Sequence, residues 1–129
     1  QYISWNSSKA LYDFNSKNLD GAILTFEAIH PKWSYAKCNE EGLVTEVAEK
    51  KVISKNATVG VYYWKHGSDY VQSAESMIKK NIRVNNEFYV CPVYNEFLLK
   101  DKKVKIHNVE KMWGLGTPED LNNFLRTIK

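Results

Sequence analysis

Asp20-Gly-Ala-Ile-Leu-Thr-Phe-Glu-Ala28 is the stretch that decides the fold. Asp20-Gly21 is turn chemistry, and Ala22 to Ala28 follows it as a near-continuous apolar run. A strand with one wet face alternates apolar and polar residues, whereas an unbroken apolar run belongs to a strand covered on both faces. The flanking sequence therefore has to supply two covering layers. Upstream, Ser8 to Asn18 reads as a helix with Ala10, Leu11 and Phe14 on its inner face. Downstream, Trp33 to Cys38 alternates, meets the turn Asn39-Glu-Glu-Gly42, and returns as Leu43 to Ala48, which is a hairpin.

Further along, Ala57 to Trp64 is rich in valine and tyrosine and ends at His66-Gly67, the pattern of another strand. Ser68 then reads as a helix N-cap, with Tyr70, Ala74, Met77 and Ile78 at helical spacing. Pro92 opens a second helix that turns Val93, Phe97 and Leu98 inward, and Val104 to His107 is a short strand. At the end of the chain Thr117 caps, Pro118 takes the first helical position, and Leu121, Phe124, Leu125 and Ile128 fall on one stripe. Strands alternating with helices predict an α/β, layered domain spanning residues 1–129.

The totals exclude several function classes. A net charge of +3 is too mild for a nucleic-acid binder, and the densest basic run, Lys100 to Lys105, is broken by Asp101 and Val104 like a solvated turn. No apolar run approaches the roughly 20 residues of a membrane span, and no signal peptide is visible, so the expected setting is cytoplasmic. The two cysteines, Cys38 and Cys91, stand in apolar contexts and read as reduced structural thiols. None of His30, His66 and His107 sits at metal-ligand spacing, so no metal ligand is assigned within the chain. Trp113-Gly-Leu-Gly-Thr117 opens a helix and has the form of an anion-holding turn. Glu49-Lys50 pairs an acceptor for hydroxyls with a point charge for a phosphate, at what is otherwise an ordinary strand end.

Laid out in order, these segments resemble the sugar-phosphate nucleotidylyltransferase family over nearly the whole chain. Asp20-Gly-Ala-Ile-Leu-Thr-Phe26, Val44-Thr-Glu-Val-Ala-Glu-Lys50, Ala57-Thr-Val-Gly-Val-Tyr-Tyr63, Asn86-Glu-Phe-Tyr89 and Trp113-Gly-Leu-Gly-Thr-Pro-Glu-Asp-Leu121 are similar to successive family motifs. The resemblance implies a Rossmann-like, glycosyltransferase-A-type fold represented by its C-terminal, sugar-binding half. It implies a reaction in which a sugar 1-phosphate attacks the α-phosphorus of a nucleoside triphosphate and pyrophosphate leaves, normally with Mg²⁺. Carried over by position, Glu49 takes sugar hydroxyls and Lys50, the one residue assigned a catalytic role, meets the sugar phosphate. Thr58, Gly60 and Tyr62 line the sugar pocket, and Glu87 takes another hydroxyl. Tyr62 also fits a plain core position, and Glu87 a plain surface acid.

Two departures shape the expectation. The glycine-rich segment that would cradle the triphosphate is absent, which predicts that it lies upstream of Gln1 together with the main metal-binding Asp. The closing motif carries Gly114 where many members place a second metal-binding Asp. The chain alone is therefore expected to be inactive, and to self-associate through an exposed sheet edge or to be marginally stable. The substrate expected is a sugar phosphate or another phosphorylated alcohol, and the destination a capsule, lipopolysaccharide or other envelope glycan. The alternative is a non-catalytic sugar-phosphate-binding or protein-interaction module. A glycosyltransferase of the same broad fold needs an Asp-x-Asp motif, and the chain has none.

Overall fold

The computed structural model describes residues 1–128. The apolar run is the strand β2 (Gly21–Glu27), where β1 is Tyr2–Ser4, and it is buried from Gly21 through Thr25. Its side chains alternate between two cores, as a strand covered on both faces requires. Ile23 joins Ala36, Val44, Val47, Cys91, Tyr94, Phe97 and Val104 on one face. Ala22 and Leu24 join Ala10, Phe14, Leu19, Val59 and Val109 on the other.

The helix α1 (Ser7–Ser16) covers the second face. Asn6 caps it by accepting from the Lys9 amide at 3.0 Å, and Asn18 ends it in the left-handed region at φ 50°. Ala10 and Phe14 are buried, but Leu11, expected beside them, is 46% exposed. One residue turns about 100° around a helix, which carries Leu11 off the stripe its two neighbours define.

The hairpin forms from β3 (Ser34–Cys38) and β4 (Val44–Glu49), and β5 (Asn56–Trp64) is the long strand foreseen at Ala57 to Trp64. With β6 (Val104–Asn108) these strands make a five-stranded sheet of order β4-β3-β5-β2-β6. Only β6 runs parallel to β2; β5 is antiparallel to it, and the β3–β5 ladder is the single pair Tyr35 and Ala57. From Gly60 to Trp64, β5 therefore has β2 on one side and no strand partner on the other among the described residues. At the sheet's end, β4 is guarded differently: the Asn95 carboxamide bonds both backbone groups of Val47, at 2.9 Å and 2.8 Å.

The first face is closed by α2 (Gly67–Lys79) packed on α3 (Val93–Leu98). The N-cap of α2 is His66, not Ser68, which lies inside the first turn; the cap comes from the backbone, with no side-chain bond. Met77 is buried as expected, while Ile78 is exposed because the stripe facing α3 is narrower than the apolar spacing suggested. In α3, Val93 and Phe97 are buried and Leu98 packs against the same core, as expected.

A carboxylate joins the two helices. Glu96 accepts from Lys80 Nζ at 2.6 Å and from Ser76 Oγ at 2.7 Å, and the Lys80 bond is the main cause holding its carboxyl below the ordinary value. A depressed folded-state value adds stability above the unfolded-state value and loses it as pH falls through the folded one. Glu96→Gln is therefore expected to flatten the acid limb of a stability-against-pH curve measured by urea unfolding. An acid limb as steep as that of the parent would refute this role.

A second sheet was not foreseen. β1 pairs antiparallel with β7 (Lys111–Trp113), and α4 (Pro118–Thr127) packs on it through Phe124, whose ring lies 5.3 Å from Tyr2 and 5.6 Å from Trp113. Thr117 caps α4 and Pro118 opens it, as the sequence predicts. The expected inner stripe is not buried, however: Leu121, Leu125 and Ile128 stay exposed, Ile128 at 60%. Periodicity defines an apolar face without supplying what covers it.

Candidate functional site

Hairpin pairing builds the first part of the site. Glu49 ends β4 directly opposite Ser34, and Ser34 Oγ donates to Glu49 Oε2. Lys50 then leaves the strand in the left-handed region at φ 56°, with its amide donating to the Trp33 carbonyl at 3.2 Å. This turn directs the side chain toward the 81–90 loop. There Lys50 Nζ donates to the Tyr89 hydroxyl at 2.9 Å and lies 5.1 Å from the centre of the Tyr89 ring.

The second part comes from β5. Its register against β2 jumps between Ile23 and Thr25: Leu24 alone faces the three residues Val59, Gly60 and Val61. Gly60 sits in this bulge at φ 86°, a conformation that strains any side chain bearing a Cβ. The bulge brings Thr58 Oγ1 within 3.0 Å of the Tyr62 hydroxyl. The Tyr62 hydroxyl also neighbours Cys91 and Ser34, and Ser34 leads back to Glu49.

Of the six residues expected to line the site, five therefore fall in one region. Thr58, Tyr62 and Glu49 are joined by hydrogen bonds and by the Cys91–Ser34 contact, Lys50 follows Glu49 in the chain, and Glu87 is close enough to act on the Lys50 charge. Gly60 stands apart from this chain of contacts. The space where its Cβ would be is 3.6 Å from the Gln1 carboxamide, and its observed task is the bulge. Tyr62 is at once a core packer, 5.8 Å from the Tyr94 ring, and part of the polar chain.

Sequence reasoning missed Ser34, Tyr89 and Cys91. Register across the hairpin would have flagged Ser34, and Tyr89 stands two residues beyond Glu87. No local signal distinguishes Cys91 from any other apolar-flanked cysteine.

The electrostatics favour one cation between two carboxylates. The Tyr89 bond, with Glu49 and Glu87 nearby, raises the Lys50 value, so the ammonium is charged at neutral pH. Burial, helped by the Glu49 charge, pushes the Cys91 thiol up to about 12, and burial likewise raises Tyr62. Both are therefore neutral neighbours, hydrogen-bonding groups and not bases.

The closing turn makes a separate hollow of about 350 Å³, lined by Gln1, Lys32, Trp33, Asp120 and the Gly114–Thr117 turn. A Cβ on Gly114 would stand 3.4 Å from the Trp33 ring and 3.5 Å from Asp120 Oδ2. Asp120 is thus the carboxylate nearest the place where the resemblance led us to expect an aspartate. No three His, Cys, Asp or Glu side chains converge among the described residues, so they form no all-protein metal cage; a single carboxylate such as Asp120 fits Mg²⁺ only together with substrate phosphates. His30 Nδ1 accepts from the Lys32 amide, His66 precedes α2 without a side-chain cap bond, and His107 lies edge-on to Phe14. A cavity of about 710 Å³ opens beyond the carboxyl ends of β2 and β6, and none of the six expected residues lines it.

No protein-family model matches the sequence, and no curated protein matches it significantly. Solved structures do match the fold. A nucleoside-diphosphate-sugar pyrophosphorylase from Vibrio cholerae RC9 superposes with a TM-score of 0.78 at 26% identity, over 87% of this chain and 48% of its own. A Bacillus anthracis protein assigned as a glucose-1-phosphate thymidylyltransferase, crystallised with sucrose, gives 0.66 at 17% identity, over 94% of this chain and 48% of its own. The chain spans about half the length of each, and its architecture is the mixed α/β fold of these sugar nucleotidyltransferases.

Proposed function

We propose that this chain supplies the sugar-phosphate-binding surface of a sugar nucleotidyltransferase. The observation that carries the reading is the gathering of Glu49, Lys50, Thr58, Tyr62 and Glu87 at one place in a fold shared with such enzymes. In the reaction a phosphate oxygen of the sugar 1-phosphate attacks the α-phosphorus of a nucleoside triphosphate. The new P–O bond forms as the bond to the bridging oxygen breaks, and pyrophosphate carries away the electron pair. Lys50 meets the sugar phosphate and offsets its charge, while Glu49 and Glu87 accept from ring hydroxyls. Thr58 and Tyr62 form the pocket wall, with Gly60 shaping it through the bulge. Positioning is the main contribution asked of these residues. Mg²⁺ belongs to the proposal only as the usual companion of the triphosphate. A cytoplasmic setting and supply to capsule or lipopolysaccharide glycans complete the proposal.

The test is a titration of the chain with a panel of hexose 1-phosphates, free hexoses and inorganic phosphate, followed by amide NMR. Hexose 1-phosphates are expected to bind tighter than either part alone and to shift Thr58, Lys50 and Tyr62. Lys50→Met should weaken binding about tenfold, in keeping with loss of one charge-assisted contact. Equal binding by parent and Lys50→Met would sink the assignment.

A second reading, a sugar-phosphate-binding module without catalysis, is favoured by Gly114, which stands where many members of the resembled family carry an aspartate. Nucleotide-dependent pyrophosphate release by the protein that carries this chain would eliminate it.

A further inference from the structure

We infer that Tyr89 is the positioning residue for Lys50: its hydroxyl holds the ammonium where it meets a phosphate. This rests on the reading of Lys50 as the phosphate contact.

Lys50 is exposed and sits on a long, freely rotating stem, so nothing in its own strand fixes where its charge lies. One contact fixes it. The phenol oxygen accepts from Nζ at 2.9 Å, which sets the ammonium 5.1 Å from the ring centre, beyond the hydroxyl and off the ring face. The Tyr89 hydrogen bond is also the leading cause of the raised Lys50 value. An accepted hydrogen bond occupies one of three ammonium protons and leaves two for a ligand oxygen.

Tyr89 is itself well founded. Its loop folds back through paired hydrogen bonds between Val84 and Glu87, around Asn85 and Asn86, which are both left-handed. Arg83 then ties the loop from inside. Its Nε donates to Asn81 Oδ1 at 2.7 Å, its Nη1 donates to the Asn86 carbonyl at 3.3 Å, and its guanidinium covers the Phe88 ring at 4.1 Å. The loop thus delivers Glu87 and Tyr89 together, one carboxylate and one phenol, to the same ammonium.

The experiment compares Tyr89→Phe, Tyr89→Leu, Arg83→Ala and Lys50→Met in the full chain. One readout is the titration of Lys50 in ¹³C-lysine-labelled protein. The other is affinity for inorganic phosphate and for α-D-glucose 1-phosphate. Tyr89→Phe keeps the ring and loses the hydroxyl, so it should lower the Lys50 titration midpoint and weaken phosphate about threefold. Tyr89→Leu loses the same hydrogen bond and should lower the midpoint and weaken phosphate by a similar factor, while Arg83→Ala should shift the Lys50 midpoint in the same direction as Tyr89→Phe. An unchanged Lys50 midpoint in Tyr89→Leu overturns the inference. So does tighter phosphate binding in that variant, because it would mean that Tyr89 competes with the ligand. If Lys50→Met binds phosphate like the parent, the phosphate reading of Lys50 fails instead, and the midpoints still decide whether Tyr89 holds the ammonium.

Discussion

Tyr94→Ala is expected to remove about 3–5 kcal/mol of folding stability, the largest single-residue effect in the molecule. The Tyr94 ring is fully buried and stacks on Trp64 at 4.2 Å with 14° between planes. Phe97 and Tyr62 stand against it at 6.5 Å and 5.8 Å, so truncation empties the centre of the aromatic layer between sheet and helices. Its hydroxyl lies 2.7 Å from the Tyr63 carbonyl and 3.2 Å from the Ala22 carbonyl, acceptors on two residues that face each other across β2 and β5. Gly21 leaves room for this: a Cβ there would press to 3.1 Å from the Tyr94 ring. Tyr94→Phe separates the two effects. It keeps the packing and leaves the carbonyls without the phenol proton, at a cost of about 1–3 kcal/mol. Urea unfolding should show both shifts in midpoint at constant slope. A loss below about 1 kcal/mol in Tyr94→Ala would show that the layer closes up around the gap.

The next largest expected effect is at Asn95. Its carboxamide accepts from the Val47 amide and donates to the Val47 carbonyl, reproducing with one side chain the pair of bonds a neighbouring strand would make. Asn95→Ala strips both backbone groups where α3 lies against β4, at about 1–2 kcal/mol each, so a total of about 2–4 kcal/mol is expected. Hydrogen exchange at Val47 gives a local check. Its amide should be protected in the parent and exchange markedly faster in the variant, and equal protection would assign the bond no weight.

What was legible in the sequence follows from how local the cause is. The two-sided burial of β2 shows in its own residues, because an unbroken apolar run has one structural solution in a layered fold. The Thr117-Pro118 start of α4 shows for the same reason. Leu11, Ile78 and Leu125 misled because spacing marks an apolar face, whereas burial depends on a partner brought from elsewhere in the chain. The β1–β7 pair joins Tyr2 to Trp113 across almost the whole sequence, beyond the reach of any window. At the site, Glu49, Lys50, Thr58, Tyr62 and Glu87 were named through ordered motifs and not through geometry. Ser34 and Tyr89 act across pairings that only the folded chain creates. Gly60 was named for a close approach, and its physical need is a positive φ.

The bulge at Gly60 bears on how this segment can change length over evolution. In a regular strand Thr58 and Tyr62 would stand about 13 Å apart on the same face, far beyond bonding reach. Folding Val59–Val61 out opposite one residue shortens that span to about 7 Å, the two-residue step from Ile23 to Thr25, so the hydroxyls meet at 3.0 Å with both side chains in phase. An insertion or deletion of one residue here would put the two stretches of β5 out of phase and swap core-facing for outward-facing side chains on one of them. A change of two residues keeps the phase. Viable length variants among homologous chains should therefore differ at this point in even steps.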